Sequence, residues 1–364
     1  MKTTKISNFF HDKPLFGLDI GHSSLKVMQL DVPAAGTNGG KRKPKVIGYG
    51  FTTFDESAQE DGVIVKPEII AKAIFELFSH HLIGDITTRR VAMAMPAYRS
   101  FTRSLQLPKL PPSQLQAAVE LEAEQYISLP LDELYLDYEI TKQTAETTEL
   151  FVVAVPRKIV DSYLQLAKIS GLEVVLIEPT LSSSGRLFSI GPNSDTSTFI
   201  VDFGSVSSDI SIYDKNTLVT GTVQGGGINF TEAIKDQLKV TSEEASLIKT
   251  RDGLSAGKNQ ADIQKALDPT LKQVTKEVRR MIRYYEERYG TQRSVGQLIA
   301  MGGGANMPGL SDYLTNALRL AVRYVDPWQY LEHKGLQPPS VADRPMYSTV
   351  AGLSLANPKE LFIS

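Results

Sequence analysis

The sequence predicts an α/β fold of two related lobes, with an α+β subdomain inserted into the first. Three observations predict it. The segment FGLDIGHSSLKVMQLD at 16–31 returns without gaps as FIVDFGSVSSDISIYD at 199–214. A third glycine-rich turn, MGGGAN at 301–306, closes an apolar run late in the second half. Residues 87–178 read strand, strand, helix, strand, strand, helix, strand, an order able to stand as a compact unit.

The elements follow from period and punctuation. Residues 15–20 and 25–30 are strands joined by the turn Gly21-His22-Ser23-Ser24. Segment 33–44, rich in Gly, Pro and Lys, is expected to be an exposed hairpin tip, with Lys41, Arg42 and Lys43 solvated. A strand is expected at 46–54, then an amphipathic helix at 67–82 with Ile69, Ile70, Ala73, Ile74, Leu77 and Phe78 on one face. The middle block gives strands at 91–95 and 99–107 and a helix capped by Ser113 that runs to about Tyr126. Strands follow at 134–140 and 150–155, then a helix at 158–169 ended by Gly171 and a strand at 174–177. In this block Phe101, Leu105 and Leu107 read as core, with the lining of an apolar groove as the alternative.

The second half opens with strand, turn and strand at 198–213. A strand at 218–223 leads into Gly225-Gly226-Gly227 and a helix from Asn229. Helices are expected at 243–250 and 271–289. The latter buries Val274, Val278, Met281, Ile282, Tyr285 and Tyr289 and leaves Lys272, Lys276, Arg279, Arg280 and Arg283 as a solvated face. A strand at 297–301, a helix at 311–320 and a last helix at 348–355, closed by Pro358, complete the chain.

In the repeat, Phe16 matches Phe199, Asp19 matches Asp202, Gly21 matches Gly204, Ser24 matches Ser207 and Asp31 matches Asp214. Both copies end a strand in Asp-x-Gly, turn through hydroxyl residues and return as a strand. That chemistry suits a phosphate grip. Glycine lets backbone N–H groups approach an anion, and serine hydroxyls add donors. The aspartate repels phosphate unless a cation such as Mg2+ lies between them, usually through water. Two such hairpins would clamp a triphosphate tail, with the Lys26 ammonium reaching the β or γ phosphate. The turn at 301–306 would let a nucleoside lie against the backbone, near a helix beginning at about Gly309.

Composition excludes other classes. The chain has 39 Lys and Arg against 41 Asp and Glu, a net charge of −2, so it lacks the basic excess of a nucleic-acid binder. It has no cysteine, which removes disulfides, thiolate metal sites and cysteine nucleophiles. No apolar run approaches a membrane span, and the first residues lack the apolar core of a secretory signal, so the expected compartment is the cytoplasm. Gly253–Lys258 echoes a phosphate-binding P-loop, but it is a residue short, lacks the final Ser or Thr and follows no strand, so it reads as an exposed loop. The five histidines show no metal spacing.

With these motifs in hand, the sequence resembles the type IV pilus assembly PilM family, actin-like ATPases related to FtsA. GLDIGHSSLKVMQL, VDFGSVSSDI and MGGGANMPGL are similar to that family's two phosphate motifs and adenosine motif. EEASLIK and VRRMIRYYEERYG resemble its flanking helices. The resemblance implies an actin-like fold of two lobes around a nucleotide cleft. It would place the first lobe at 1–86, 179–197 and 326–364 and the inserted subdomain at 87–178. The second lobe would comprise core at 198–225 and 298–325 with an outer helical part at 226–297. It implies that Asp19 and Asp202 position Mg2+, that Gly21, Ser23, Ser24 and Lys26 grip the β and γ phosphates of ATP, and that Gly204, Ser205 and Ser208 close the other side. Gly303, Gly304, Ala305 and Asn306 would contact the nucleoside, with Glu244 and Lys249 toward ribose and adenine. His22 and the pair Ser205-Val206 depart from the family pattern, and a β-branched Val206 resists positive φ, so this loop is expected to sit differently.

The implied function is a cytoplasmic ATP-binding scaffold of the pilus inner-membrane platform. Its partner would be the N-terminal cytoplasmic tail of a PilN-like membrane protein, held in a groove beside the inserted subdomain in a nucleotide-linked way. Further platform proteins and the assembly ATPase would be neighbours, and the resemblance also allows a homo-oligomer. Membrane association would come through partners. No residue clearly orients an attacking water, so weak or no hydrolysis is expected. Two alternatives share the fold. An FtsA-like division protein needs a C-terminal amphipathic anchor, for which the residues after Asn357 are too few. A small-molecule kinase needs a catalytic carboxylate, for which Asp209 is available.

Overall fold

The computed structural model describes residues 13–33, 43–190, 197–214, 216–290 and 295–357. The tip expected at 33–44 and the tail from Pro358 therefore lie largely or wholly outside the described residues. In chain order the elements begin with β1 (Phe16–Ile20), β2 (Ser24–Asp31), β3 (Lys45–Thr53), the short β4 (Gln59–Glu60) and β5 (Val63–Ile64), α1 (Pro67–His80), β6 (Leu82–Gly84) and β7 (Arg90–Met95). They continue with β8 (Phe101–Pro108), α2 (Pro112–Glu124), β9 (Leu134–Gln143), β10 (Thr147–Pro156), α3 (Arg157–Ile169), β11 (Glu173–Pro179) and α4 (Thr180–Ser189). The remainder are β12 (Thr198–Phe203), β13 (Ser207–Asp214), β14 (Asn216–Gln224), α5 (Gly227–Leu238), α6 (Ser242–Arg251), α7 (Gln260–Tyr289), β15 (Gln297–Met301), α8 (Leu310–Leu318), β16 (Val322–Tyr324) and α9 (Ser348–Ser354).

Two compact units result. The first draws on residues 1–96, 158–192 and 326–364, the second on 97–157 and 193–325. The sheet of the first unit runs β11-β7-β1-β2-β3-β6. Its centre is β1, buried along its whole length and paired antiparallel to β2 and parallel to β7. The apolar run of β7 is buried throughout, as a strand covered on both faces should be. Helix α9 closes over β1. A side chain at Gly17 would lie 2.6 Å from the Val350 carbonyl, and one at Gly352 would strike the Ser183 carbonyl of α4. Arg186 of α4 donates to both carboxylate oxygens of Glu178, at 2.8 and 2.7 Å, and to the Gly352 carbonyl at 2.9 Å. Helix α4 has no sequence signal of its own because Ser182-Ser183-Ser184-Gly185 reads as a loop. Ser183 and Ser184 instead donate back to the Thr180 carbonyl, which lets them sit in a helix that buries Leu181, Leu187 and Phe188.

The sheet of the second unit runs β14-β13-β12-β15-β16. This is the order β3-β2-β1-β7-β11 again: three antiparallel strands followed by two parallel ones. The registers agree as well. Asp19 faces Lys26 across the first hairpin and Asp202 faces Asp209 across the second. Helix α7 packs on this sheet through Val274, Val278, Met281 and Tyr285, and the Tyr285 hydroxyl donates to Asp214 at 2.7 Å. It begins at Gln260, ahead of the expected 271, with Pro269 inside it. Burial of Ile263 and Leu267 on the same stripe carries the helix through the proline.

The inserted subdomain is narrower than 87–178. Its own sheet, β8-β10-β9, covers 101–156 and packs on α2 through Leu105, Leu107, Leu115, Val119, Leu150 and Val152. The flanking strands β7 and β11 pair parallel inside the first unit's sheet, since their apolar runs need neighbours that a three-stranded sheet cannot supply. Residues 97–157 group with the second unit, where the Thr102 and Thr220 hydroxyls of β8 and β14 meet. Ser113 does not cap α2. The helix starts at Pro112 with Pro111 before it, because a proline at the first turn forfeits no intrahelical bond. Gly171 does end α3, at φ +67°.

Candidate functional site

In the first unit, Asp19 is the penultimate residue of β1, at 7% exposure. The Lys26 ammonium, from the facing position on β2, lies 3.2 Å from its Oδ2 and 3.3 Å from the Ser24 hydroxyl. The turn between them is tight. Gly21 donates to the Ser24 carbonyl at 2.8 Å, and a Cβ at Gly21 would lie 3.0 Å from the Ser24 Oγ and 3.7 Å from the Lys26 Nζ. Gly21, Ser23, Ser24, Asp19 and Lys26 thus come together in one hairpin. His22 turns outward to Glu56 at 3.5 Å, and Gln59 donates to the Gly21 carbonyl at 3.2 Å.

In the second unit, two backbone segments converge on 202–205. The loop before α5 folds under the β12–β13 turn: Gly227 donates to the Gly204 carbonyl at 2.8 Å and Ile228 to the Ser205 carbonyl at 2.9 Å. Gly226 touches so closely that any Cβ there would strike the Gly204 carbonyl. The 301–306 turn comes from the other side. Gly302, at φ +80°, lies where a Cβ would meet the Asp202 carboxylate, and a Cβ at Gly304 would lie 2.9 Å from the Phe203 carbonyl. Asp202, Gly204, Ser205, Gly303, Gly304, Ala305 and Asn306 are therefore neighbours. Val206 adopts no positive φ, so the unusual Ser205-Val206 pair enters the turn without strain.

Other expected residues make hydrogen bonds within the fold. Ser208 is fully buried and donates to the Gly225 carbonyl at 2.8 Å, which ties β13 to the glycine loop rather than exposing a hydroxyl. Glu244 forms the capping box of α6: its carboxylate accepts the Thr241 N–H at 3.0 Å while Thr241 accepts the Glu244 N–H at 3.2 Å. The Lys249 ammonium donates to the Gly227 carbonyl at 2.8 Å and the Thr231 hydroxyl at 2.7 Å, and burial holds its pKa below the usual lysine value. It reaches the glycine loop from beneath.

The clamp of Gly226 and Gly227 on Gly204 is signalled in the sequence only by three consecutive glycines after a strand. Asp209, the carboxylate available to the kinase alternative, is buried opposite Asp202 where the first hairpin carries Lys26. Burial pushes its carboxyl up to about 6, against the opposing hydrogen bonds from Thr222 at 2.6 Å and Ser207 at 3.4 Å.

A duplicated sheet of this order, each copy bearing an Asp-x-Gly hairpin, defines an actin-like fold. Solved structures agree. The chain is similar to MreB5 of Spiroplasma citri bound to AMPPNP (TM-score 0.51, 13% identity, 94% of this chain and 95% of that one). It matches ethanolamine utilization protein EutJ of Carboxydothermus hydrogenoformans equally well (0.51, 14%, 95% and 91%). The similarity is greater to a PilM-PilN type IV pilus biogenesis complex (0.79, 23%, 94% and 98%). Residues 17–357 match the family of type IV pilus assembly protein PilM, and the chain belongs to that family.

Proposed function

We propose that this protein is an ATP-binding, actin-like scaffold of the type IV pilus assembly platform that holds the cytoplasmic tail of a PilN-like membrane protein in a nucleotide-linked way. The observation that carries the nucleotide part is the duplicated hairpin, with Asp19 and Asp202 at equivalent register positions beside glycine turns. Family membership and the likeness to a PilM-PilN complex support the partner. A cytoplasmic location at the inner membrane follows from such a partner, and among the described residues no helix is long and apolar enough to cross a membrane.

The residues suit a phosphate-bound Mg2+ better than a protein-caged one. Among the described residues there is no group of three or more His, Asp or Glu side chains that could hold a metal. Two separate carboxylates match the way Mg2+ keeps its waters and takes its remaining ligands from phosphate. Bound there, Mg2+ would offset the charge between phosphate and carboxylate. Lys26 neutralises Asp19 and offers its ammonium to the β and γ phosphates. The N–H groups of the 21–24 and 204–205 turns add donors, and Gly303 to Asn306 accept the nucleoside. Glu244 and Lys249 shape the adjacent loop.

Calorimetry of ATP binding with Mg2+ tests this, with Asp19→Ala and Asp202→Ala alongside and with or without a tail peptide of a PilN-like protein. The expected result is binding that each variant weakens at least tenfold and that strengthens peptide affinity. Absence of wild-type nucleotide binding would make the protein a nucleotide-independent docking platform.

A further inference from the structure

The sheet of the inserted subdomain leaves a long strand at its border. In the order β8-β10-β9, β8 lies beside β14, but β9 pairs only with β10 among the described residues. The strand is ten residues long and contains no proline. The Tyr138 N–H is accepted at 2.8 Å by the neighbouring carboxylate of Asp137. Because N–H groups alternate sides along an antiparallel strand, the even-numbered residues of this stretch direct their main-chain groups outward.

Side chains define what such an edge can accept. Leu134, Leu136 and Tyr138 face the α2 core, and Ile140 continues to 47% exposure. Tyr135, Asp137 and Glu139 alternate with them and are exposed. Charge separates this subdomain from the rest of the chain. Residues 101–156 hold nine acidic and three basic side chains, while the whole chain is nearly balanced. Lys142, the one cation of β9, lies 3.6 Å from Glu149. Asp132 and Glu133 extend the acidic run just before the strand.

We propose that the outer edge of β9 is a strand-addition site for an extended segment of a partner protein, one that alternates basic and apolar residues. Main-chain hydrogen bonds to the outward groups around Leu136 and Tyr138 would supply the pairing. Basic side chains would meet Asp137 and Glu139, and apolar ones would extend the Leu136–Tyr138–Ile140 face. A second copy of this chain is a poor occupant, since pairing β9 with itself sets carboxylates against carboxylates. The site does not depend on nucleotide binding or on the tail partner.

The probe is a fluorescent ten-residue peptide of alternating Lys and Val, titrated into the full chain by anisotropy at low salt. A matched peptide with N-methylated amides at alternate residues keeps the charge but cannot pair. Strand addition predicts that N-methylation weakens binding at least tenfold, as does Asp137→Lys combined with Glu139→Lys in a variant whose thermal melt is unchanged. Equal binding of the two peptides, indifference to the charge reversal, or no binding of the unmodified peptide up to millimolar concentration would overturn the proposal.

Discussion

Asp209 shows what one residue does when a duplicated scaffold changes its charge. At the matching position of the first hairpin a lysine ammonium lies against Asp19, so two opposite charges share the interior. In the second hairpin the cross-strand pair is Asp202 with Asp209, and the buried member is forced toward its neutral form. The sign for stability follows. Folding raises the pKa of Asp209 from 3.8 to about 6, so this group favours the folded chain in full below about pH 4 and loses that advantage as pH rises through 6. A shift of this size amounts to about 3 kcal/mol. Asp209→Asn should remove the dependence, because an amide oxygen still accepts from Thr222 without carrying charge. Denaturant melts between pH 4 and 7.5 should show the wild type losing stability relative to the variant across that window. Parallel pH profiles would mean that Asp209 stays ionised in the fold.

At the scale of elements, α6 offers a way to tell a capping role of Glu244 from a ligand-binding one. The Thr241–Glu244 box satisfies two N–H groups at the start of a ten-residue helix that has little else to hold its first turn. Glutamine can serve the same cap, whereas alanine cannot. Glu244→Gln should therefore melt like the wild type and Glu244→Ala should lose about 1 kcal/mol, with ATP affinity unchanged in both. A loss of ATP affinity in Glu244→Gln would return this residue to the ribose. The box also shows why the sequence was readable in some places and not in others. Thr241 and Glu244 announce a helix start by spacing, as the alternation of β12 and β13 announces a hairpin, because those signals are local. The start of α7 at Gln260, ahead of the expected 271, has no local signal because it depends on the tertiary burial of Ile263 and Leu267, which carries the helix through Pro269. Nothing local reveals that the Ser208 hydroxyl donates its hydrogen bond to the Gly225 carbonyl. The border of the inserted subdomain was misplaced for the same reason: β7 and β11 are defined by their parallel partners, and parallel pairing leaves no adjacent turn to read.

For the whole molecule, the duplication sets a question of stoichiometry. Two units repeat one sheet order and one Asp-x-Gly hairpin, but among the described residues only the second brings a glycine-rich turn against its hairpin, through Gly302 and Gly304. Repetition could have produced two independent anion sites. The unequal equipment argues against it. The first hairpin has the ammonium of Lys26 but no counterpart of the 301–306 turn among the sequence motifs, and the second has that turn but an aspartate in the lysine's place. The proposed nucleotide-binding role calls for a cation, phosphate donors and a nucleoside turn, and neither hairpin carries all of them. ATP should therefore bind at one molecule per chain. Asp19→Ala and Asp202→Ala should each lower affinity without changing that ratio, and inorganic triphosphate should retain the sensitivity to Lys26→Met while losing that to substitutions at Gly303. Equilibrium dialysis with labelled ATP reads the ratio directly. A value near two in the wild type, falling to one in either aspartate variant, would mean that each hairpin binds its own anion and that the duplicated motif acts as two separate sites.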